Sequence, residues 1–285
     1  MYKIVSKKYL NPTVVQMEIE SPFVARKAKP GQFIILRVDD NGERIPLTVA
    51  GTNKELGTTK IIFQVVGSTT EKLKHKEEGE YIADFVGPLG VPTHTEGIKK
   101  VCIIGGGVGC AIAMPVAQEF HRLGAEVTSI IGFRSKDLVI LEEEFNEASN
   151  YFVVMTDDGT YGRQGNVTIP LKEMIEEDPD RFDLIITIGP LIMMKYVVLT
   201  AKPFNIPVTV SMNPIMIDGT GMCGCCRLTL IKDNEKVMKF ACVDGPDFNG
   251  YEVDFDEAIS RNRQYVDFER HAHEETCNLY KKEVK

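Results

Sequence analysis

The chain has 285 residues, enough for two domains of roughly 100–200 residues each and a sizeable core. Apolar residues make up 43% and charged residues 26%, which excludes a disordered or fibrous chain. The net charge of −8 disfavours broad nucleic-acid binding, whose affinity comes from neutralising phosphates.

The first hundred residues predict short strands separated by turn chemistry. Thr13 to Glu20 alternates Val15, Met17 and Ile19 with Val14, Gln16 and Glu18. Gln32 to Val38 and Ile61 to Val66 are rich in β-branched residues, bounded by Pro30-Gly31, Asn41-Gly42 and Gly67. Strands at this spacing predict a small antiparallel barrel over residues 1–97. Within it lies Arg44-Ile-Pro46-Leu47-Thr48. In a barrel an arginine there can pair with a flavin diphosphate, a proline fixes the backbone, and a hydroxyl can hydrogen-bond the isoalloxazine edge. Taken alone the motif reads as a polar turn ending in a strand. Val65-Val66-Gly67-Ser68-Thr69-Thr70 adds a glycine-hydroxyl turn suited to donating backbone amides to a pyrophosphate.

From Lys100 the texture changes. Val101 to Ile104 is a short apolar strand and Gly105-Gly106-Gly107-Val108-Gly109 a glycine turn. Ala113, Val116, Ala117, Phe120 and Leu123 then recur at helical spacing before Gly124. Strand, glycine turn and helix form a dinucleotide-diphosphate site, although Cys110 at the sixth position breaks strict G-x-G-x-x-G; a tight turn without ligand is the alternative. Strands at Val127 to Ile131, Phe152 to Met155, Leu184 to Ile188 and Val208 to Ser211, with a helix through Pro170 to Glu177, predict a parallel sheet covered by helices over residues 98–214. Gly189-Pro190 ends one of these strands where a nicotinamide pocket would have its floor. Arg134-Ser135-Lys136 suits a 2′-phosphate or a plain surface turn. The most apolar stretch, Leu184 to Met194, is about half of the roughly 20 residues a membrane helix needs. The amino terminus has no apolar signal-like run, so the expected compartment is the reducing cytoplasm, without disulfides.

Four of the seven cysteines, Cys223, Cys225, Cys226 and Cys242, fall within 20 residues of the segment 215–250. Asp218-Gly-Thr-Gly-Met-Cys223-Gly-Cys-Cys226, followed by Cys242, matches the C-x4-C-x2-C…C spacing of plant-type [2Fe–2S] sites with Asp218 in the first cysteine's place. Gly219, Gly221 and Gly224 let the loop wrap closely. Cys225 or a water is the alternative fourth ligand. A structural zinc site would bring a second C-x2-C pair or a nearby histidine, and a redox C-x2-C would open a helix. Cys102 and Cys110 read as packing residues. Residues 251–285 are charged, contain Tyr265, Phe268 and Tyr280 but no glycine or proline, and predict helix; His271 and His273 on it read as solvated.

In this order, R-x-P-L-T, G-G-G-V-G, I-G-P and a terminal loop closing on Cys242-Val-Asp-Gly245-Pro246 resemble the ferredoxin reductase superfamily, in the branch of the dihydroorotate dehydrogenase electron-transfer subunits. The D-G-T-G-M-C-G-C-C segment resembles the small subunits of NADH-dependent reduced ferredoxin:NADP oxidoreductases, where an aspartate replaces one cluster cysteine. The resemblance implies FAD at Arg44, Pro46, Leu47, Thr48, Val65, Val66, Gly67, Thr69 and Thr70. It implies NAD(H) at Gly105, Gly106, Gly107, Val108, Gly109, Gly189 and Pro190, and a [2Fe–2S] cluster on Asp218, Cys223, Cys226 and Cys242. It further implies a larger iron–sulfur flavoprotein partner that handles NADPH and ferredoxin in electron bifurcation. Ile188 stands where many reductases have a cysteine, so no catalytic thiol is expected. The alternatives are the partner of a dihydroorotate dehydrogenase, which has four cluster cysteines, and a zinc-stabilised scaffold without activity.

Overall fold

The computed structural model describes residues 1–283, with side chains through Cys277; the Tyr280 side chain and the last two residues lie outside the described residues. The first unit is built of period-two strands. β1 (Tyr2–Asn11) turns into β2 (Val14–Glu20) around the Asn11 side chain, whose oxygen accepts from the backbone N–H of Thr13 and Val14. The chain continues through α1 (Pro22–Lys27), β3 (Phe33–Arg37), β4 (Arg44–Asn53), β5 (Thr58–Gln64), α2 (Ser68–Lys74), β6 (Tyr81–Ile82) and β7 (Asp84–Leu89). The strands pair antiparallel in the order β6-β1-β2-β5-β4-β3-β7. Ala83 alone separates the two outermost strands, β6 and β7, in the chain. The backbone therefore spans the seam, and the sheet is a nearly closed barrel.

Alternation along β3 feeds two different cores. Ile34 and Leu36 fill the barrel with Val15, Met17, Ile19, Ile61 and Phe63. Phe33 and Ile35 point outward into a core shared with the second unit and with Cys226 and Cys242.

The second unit runs through β8 (Lys100–Gly106), α3 (Gly109–Arg122), β9 (Glu126–Phe133), α4 (Glu142–Glu147), β10 (Tyr151–Thr156), β11 (Arg163–Gln164), α5 (Thr168–Glu177), β12 (Leu184–Ile188), α6 (Leu191–Ala201) and β13 (Val208–Ser211). The cysteine-bearing segment adds the hairpin β14 (Arg227–Lys232) and β15 (Glu235–Phe240), then α7 (Ala241–Asp244) and β16 (Asp247–Asn249). The tail is α8 (Phe255–Asn262) and α9 (Val266–Glu283). Strand order is β11-β10-β9-β8-β12-β13-β16, parallel except for β16. The sheet thus takes a strand from beyond residue 214: β16 returns to pair with β13, which would otherwise present unpaired backbone groups. β8 is central. The chain grows outward through β9 and β10, then crosses back to place β12 on the other flank, so the order reverses between β8 and β12. That reversal opens a crevice at the carboxyl ends of the strands. Among the described residues, no helix is long and apolar enough to cross a membrane.

Candidate functional site

A cleft of about 740 Å³ opens at this crevice, lined by Gly106 to Gly109, Ile188, Gly189, Pro190 and Met193, with Thr13 and Gln64 from the barrel end. The glycines divide by task. Gly107 has φ +55°, and an added Cβ would meet nothing within 4 Å, so its backbone faces open space. At Gly109 a Cβ would stand 2.4 Å from the Ile188 carbonyl oxygen and 2.8 Å from the Gly189 Cα, so the start of α3 rests directly on the end of β12. At Gly105 the obstacle is Cys110, and at Gly106 it is Met193. Gly105 and Gly109 thus bring the positive end of α3 into the crevice, Gly106 lets the start of α6 close on the end of β8, and Gly107 leaves room there. Arg134 lines the cleft, whereas Lys136 lies over the Tyr161 ring at 5.3 Å. Cys102 and Cys110 are fully buried and burial pushes their thiols up, as expected of packing residues.

On β4, alternation puts Arg44, Pro46 and Thr48 on the face opposite Leu47. Register with β3 pairs Thr48 with Phe33 and Pro46 with Ile35, so this face shares the outward side of the barrel. Leu47 turns inward and packs against the barrel core, as does Val65; either can meet a flavin only through its backbone. Arg44 is exposed, its guanidinium 3.9 Å from Asp84 and open to a second anion. In the turn before α2, the Thr70 hydroxyl oxygen accepts from the N–H of Val66 and Gly67, both at 3.0 Å. Thr69 is buried and donates to Glu43. These two threonines shape the turn. The following N–H groups at the start of α2 have no intrahelical partner, and the Gly67 side stands open.

The cysteine loop is wound by Gly219, Gly221 and Gly224, all at positive φ. Gly219 is pressed against Leu89 and Ile35, which seats the loop on the outward face of the barrel. The sulfurs of Cys226 and Cys242 are buried 3.1 Å apart. Two sulfurs held tetrahedrally on one metal ion stand about 3.7 Å apart, so a small outward shift seats a metal. Burial, with Cys226 alongside, pushes the Cys242 thiol up to about 12, so this thiol needs a nearby cation to ionise at neutral pH. Asp218 and Cys223 lie at the loop's outer end. The Asp218 carboxylate accepts from the backbone N–H of Thr220 (2.9 Å) and Cys223 (2.8 Å), and these bonds hold it below its ordinary value. The Cys225 backbone N–H, chiefly, does the same for the Cys223 thiol, while burial raises that of Cys225. Two ionisation-ready donors at one end and a thiol pair at the other fit a two-iron centre, in which each iron takes two protein ligands.

Sequence reasoning missed the joint beside this loop. Asp247 is half-buried where three segments meet: one carboxylate oxygen accepts from Thr93 Oγ1 at 2.6 Å, the other is enclosed without a hydrogen-bond partner, and Ser211 lies opposite across the β13–β16 pair. Nearby, the Val91 N–H donates to the Gly245 carbonyl at 2.7 Å. Burial pushes the Asp247 carboxyl above its ordinary value of 3.8. Its protonated form therefore favours folding fully below that value, and the contribution is lost as pH rises through the elevated folded value. Asp247→Asn is expected to remove this loss: the variant's denaturation midpoint should gain on wild type across the window that opens as pH rises above the ordinary carboxyl value of 3.8. Parallel curves across that window would show that the carboxyl does not titrate there.

Barrel, reversed parallel sheet and cysteine loop together define a ferredoxin reductase-like oxidoreductase subunit. Residues 213–254 match the family model of the iron–sulfur cluster binding domain of dihydroorotate dehydrogenase B. The chain is 45% identical to a homologue of the dihydroorotate dehydrogenase B (NAD(+)) electron transfer subunit from Thermotoga maritima, over 95% of this chain and 94% of that protein. It is 30% identical to the electron transfer subunit of that enzyme from Streptococcus pneumoniae, over 86% and 97%. A chain in a solved structure of an NADH-dependent reduced ferredoxin-NADP oxidoreductase, a study of flavin-based electron bifurcation, superposes with TM-score 0.89 at 43% identity, over 96% of this chain and 97% of that one. The chain belongs to the family of dihydroorotate dehydrogenase B electron-transfer subunits and their homologues. As a member it is an iron–sulfur flavoprotein oxidoreductase subunit whose cofactors are FAD, NAD(H) and a [2Fe–2S] cluster.

Proposed function

We propose that the chain is the NADH-linked electron-transfer subunit of an electron-bifurcating NADH-dependent reduced ferredoxin:NADP oxidoreductase, working with a larger iron–sulfur flavoprotein that handles NADPH and ferredoxin. The observation that carries this reading is Asp218: a carboxylate takes the first donor position of the loop, where the dihydroorotate branch has a cysteine. The full-length likeness to the bifurcating enzyme's chain supports it. In this reading NAD(H) lies at Gly105 to Gly109, Gly189 and Pro190. FAD lies along Arg44, Pro46, Leu47 and Thr48 and the turn Val65 to Thr70. Asp218 and Cys223 hold one iron, and Cys226 and Cys242 the other.

When bound, FAD exchanges electrons in pairs with nicotinamide and singly with a cluster. The chain's own residues position and insulate. Gly107 leaves space at the positive end of α3 for a diphosphate, and Ile188 and Met193 supply an apolar floor that excludes water. Arg44 balances flavin diphosphate charge. Phe33 and Ile35 form a packed wall between the outward barrel face and Cys226 and Cys242, which keeps solvent from the route between flavin and cluster.

The family model and the curated relatives favour a second reading, the electron-transfer subunit of an NAD-dependent dihydroorotate dehydrogenase. Anaerobic co-purification from the native cell separates the two. Recovery of a larger iron–sulfur flavoprotein is the expected result, and recovery of a dihydroorotate-oxidising flavoprotein in its place would establish the second. Asp218→Cys is expected to keep the cluster but change its electron paramagnetic resonance signal and potential. Identical spectra would mean that the carboxylate does not bind iron.

A further inference from the structure

Helix α9 folds back across the barrel and meets α2, although few of its described residues turn inward and none of those is a large apolar side chain: they are Ala272, His273, Thr276 and Cys277. Thr276 Oγ1 is 2.7 Å from Ser68 Oγ, which sets the register of the two helices. His273 and Cys277, four residues apart, share one face of α9, and the sulfur is 3.5 Å from His273 Nε2. Opposite them stands Glu71, buried, with Oε2 3.7 Å from the same nitrogen. One donor atom from each of Glu71, His273 and Cys277 lies within 4.8 Å of the others, and this is the only such group of three among the described residues.

We propose that Glu71, His273 and Cys277 form a zinc site that fastens α9 onto α2. Donors on a tetrahedral zinc ion at about 2.0–2.3 Å stand roughly 3.3–3.7 Å apart, and the two distances at His273 already have that spacing. The carboxylate is oriented for the task. Its Oε1 accepts from Lys74 (3.1 Å) and lies 3.2 Å from His75 Nε2, which leaves Oε2 turned toward α9. Burial works against its charge, yet the bonds from Lys74 and His75 hold the Glu71 carboxyl below its ordinary value, in the ionised form a metal requires. A nitrogen, a sulfur and a carboxylate oxygen suit zinc better than magnesium or calcium, which prefer all-oxygen shells. Water completes the four ligands. The ion supplies the attachment energy that a helix whose described residues turn no large apolar side chain inward lacks.

The test uses the full chain carrying its flavin and cluster, titrated with zinc chloride, with zinc, iron and flavin measured together. One zinc per chain is expected in addition to the cluster iron, with an X-ray absorption spectrum of one sulfur and otherwise nitrogen or oxygen neighbours. Cys277→Ser and His273→Ala should each weaken zinc binding by tenfold or more, on the order of 10–100-fold, and speed proteolysis of the carboxyl-terminal helix, with iron and flavin unchanged. No zinc uptake by the wild-type holoprotein at tens of micromolar, or uptake indifferent to both substitutions, would overturn the proposal.

Discussion

Cys226→Ala is expected to empty the iron–sulfur loop while leaving the flavin reducible by NADH. Cys226 is fully buried, its sulfur lies 3.1 Å from that of Cys242, and its carbonyl accepts from the Ala241 N–H, so it joins the two halves of the loop. Losing even an outer hydrogen-bond partner of a metal ligand costs about 10–100-fold in affinity; losing a ligand from the buried pair should cost more. Iron content should fall toward zero, and the reduced protein should lose its paramagnetic signal. Electron delivery to one-electron acceptors should drop on the order of 100-fold or more. Stopped-flow reduction of FAD by NADH should continue, because the cleft and the Arg44 face lie outside the loop. A retained paramagnetic signal would remove Cys226 from the ligand set. Loss of flavin together with iron would show that the loop is needed to hold the barrel face in shape.

The second large effect is expected at Gly109. Gly109→Ala places a methyl carbon 2.4 Å from the Ile188 carbonyl oxygen, a distance that backbone on both sides must relieve. Overpacking of this kind costs roughly 1–3 kcal/mol, a drop of roughly 2–10 °C in thermal midpoint for a chain of this size. The forced separation of α3 from β12 also moves the helix end away from the crevice. The KM for NADH should therefore rise about tenfold or more, the equivalent of about 1.4 kcal/mol. Flavin and iron content should stay at wild-type levels. An unchanged KM with a lowered midpoint would make Gly109 a packing residue and move the dinucleotide elsewhere in the cleft.

The nucleotide sheet was legible because its strands are short apolar runs closed by strong punctuation. β12 ends at Gly189-Pro190 and α3 stops before Gly124, and both boundaries follow from local chemistry. β4 was harder. Pro46 and Gly51 interrupt it, so Arg44 to Thr48 reads as a turn. The barrel tolerates the proline because β4 pairs with β5 only from Val49 onward, which leaves the Pro46 flank unpaired on that side. α6 was hidden because it is apolar nearly all round, and the structure explains why: its outer side, with Ile192, Met193 and Tyr196, lines the cleft. The acidic run Glu142 to Glu144 opens α4, where negative charge favours the amino end. The cysteine loop was read from spacing, because its four proposed donors are local in sequence or nearly so. Asp247 and the Glu71, His273 and Cys277 group were not legible, since only the tertiary fold brings their distant segments together.

The cysteine segment leaves β13 at Ser211 and returns to the same strand through β16, with the Met212 N–H bonded to the Pro246 carbonyl at the neck. Both ends of the loop are thus moored to one strand of the nucleotide sheet, while Val91–Gly245 and Thr93–Asp247 lash it to the linker behind the barrel. No piece can swing without breaking these bonds. The position of the cysteine loop between barrel linker and nucleotide sheet is therefore set when the chain folds.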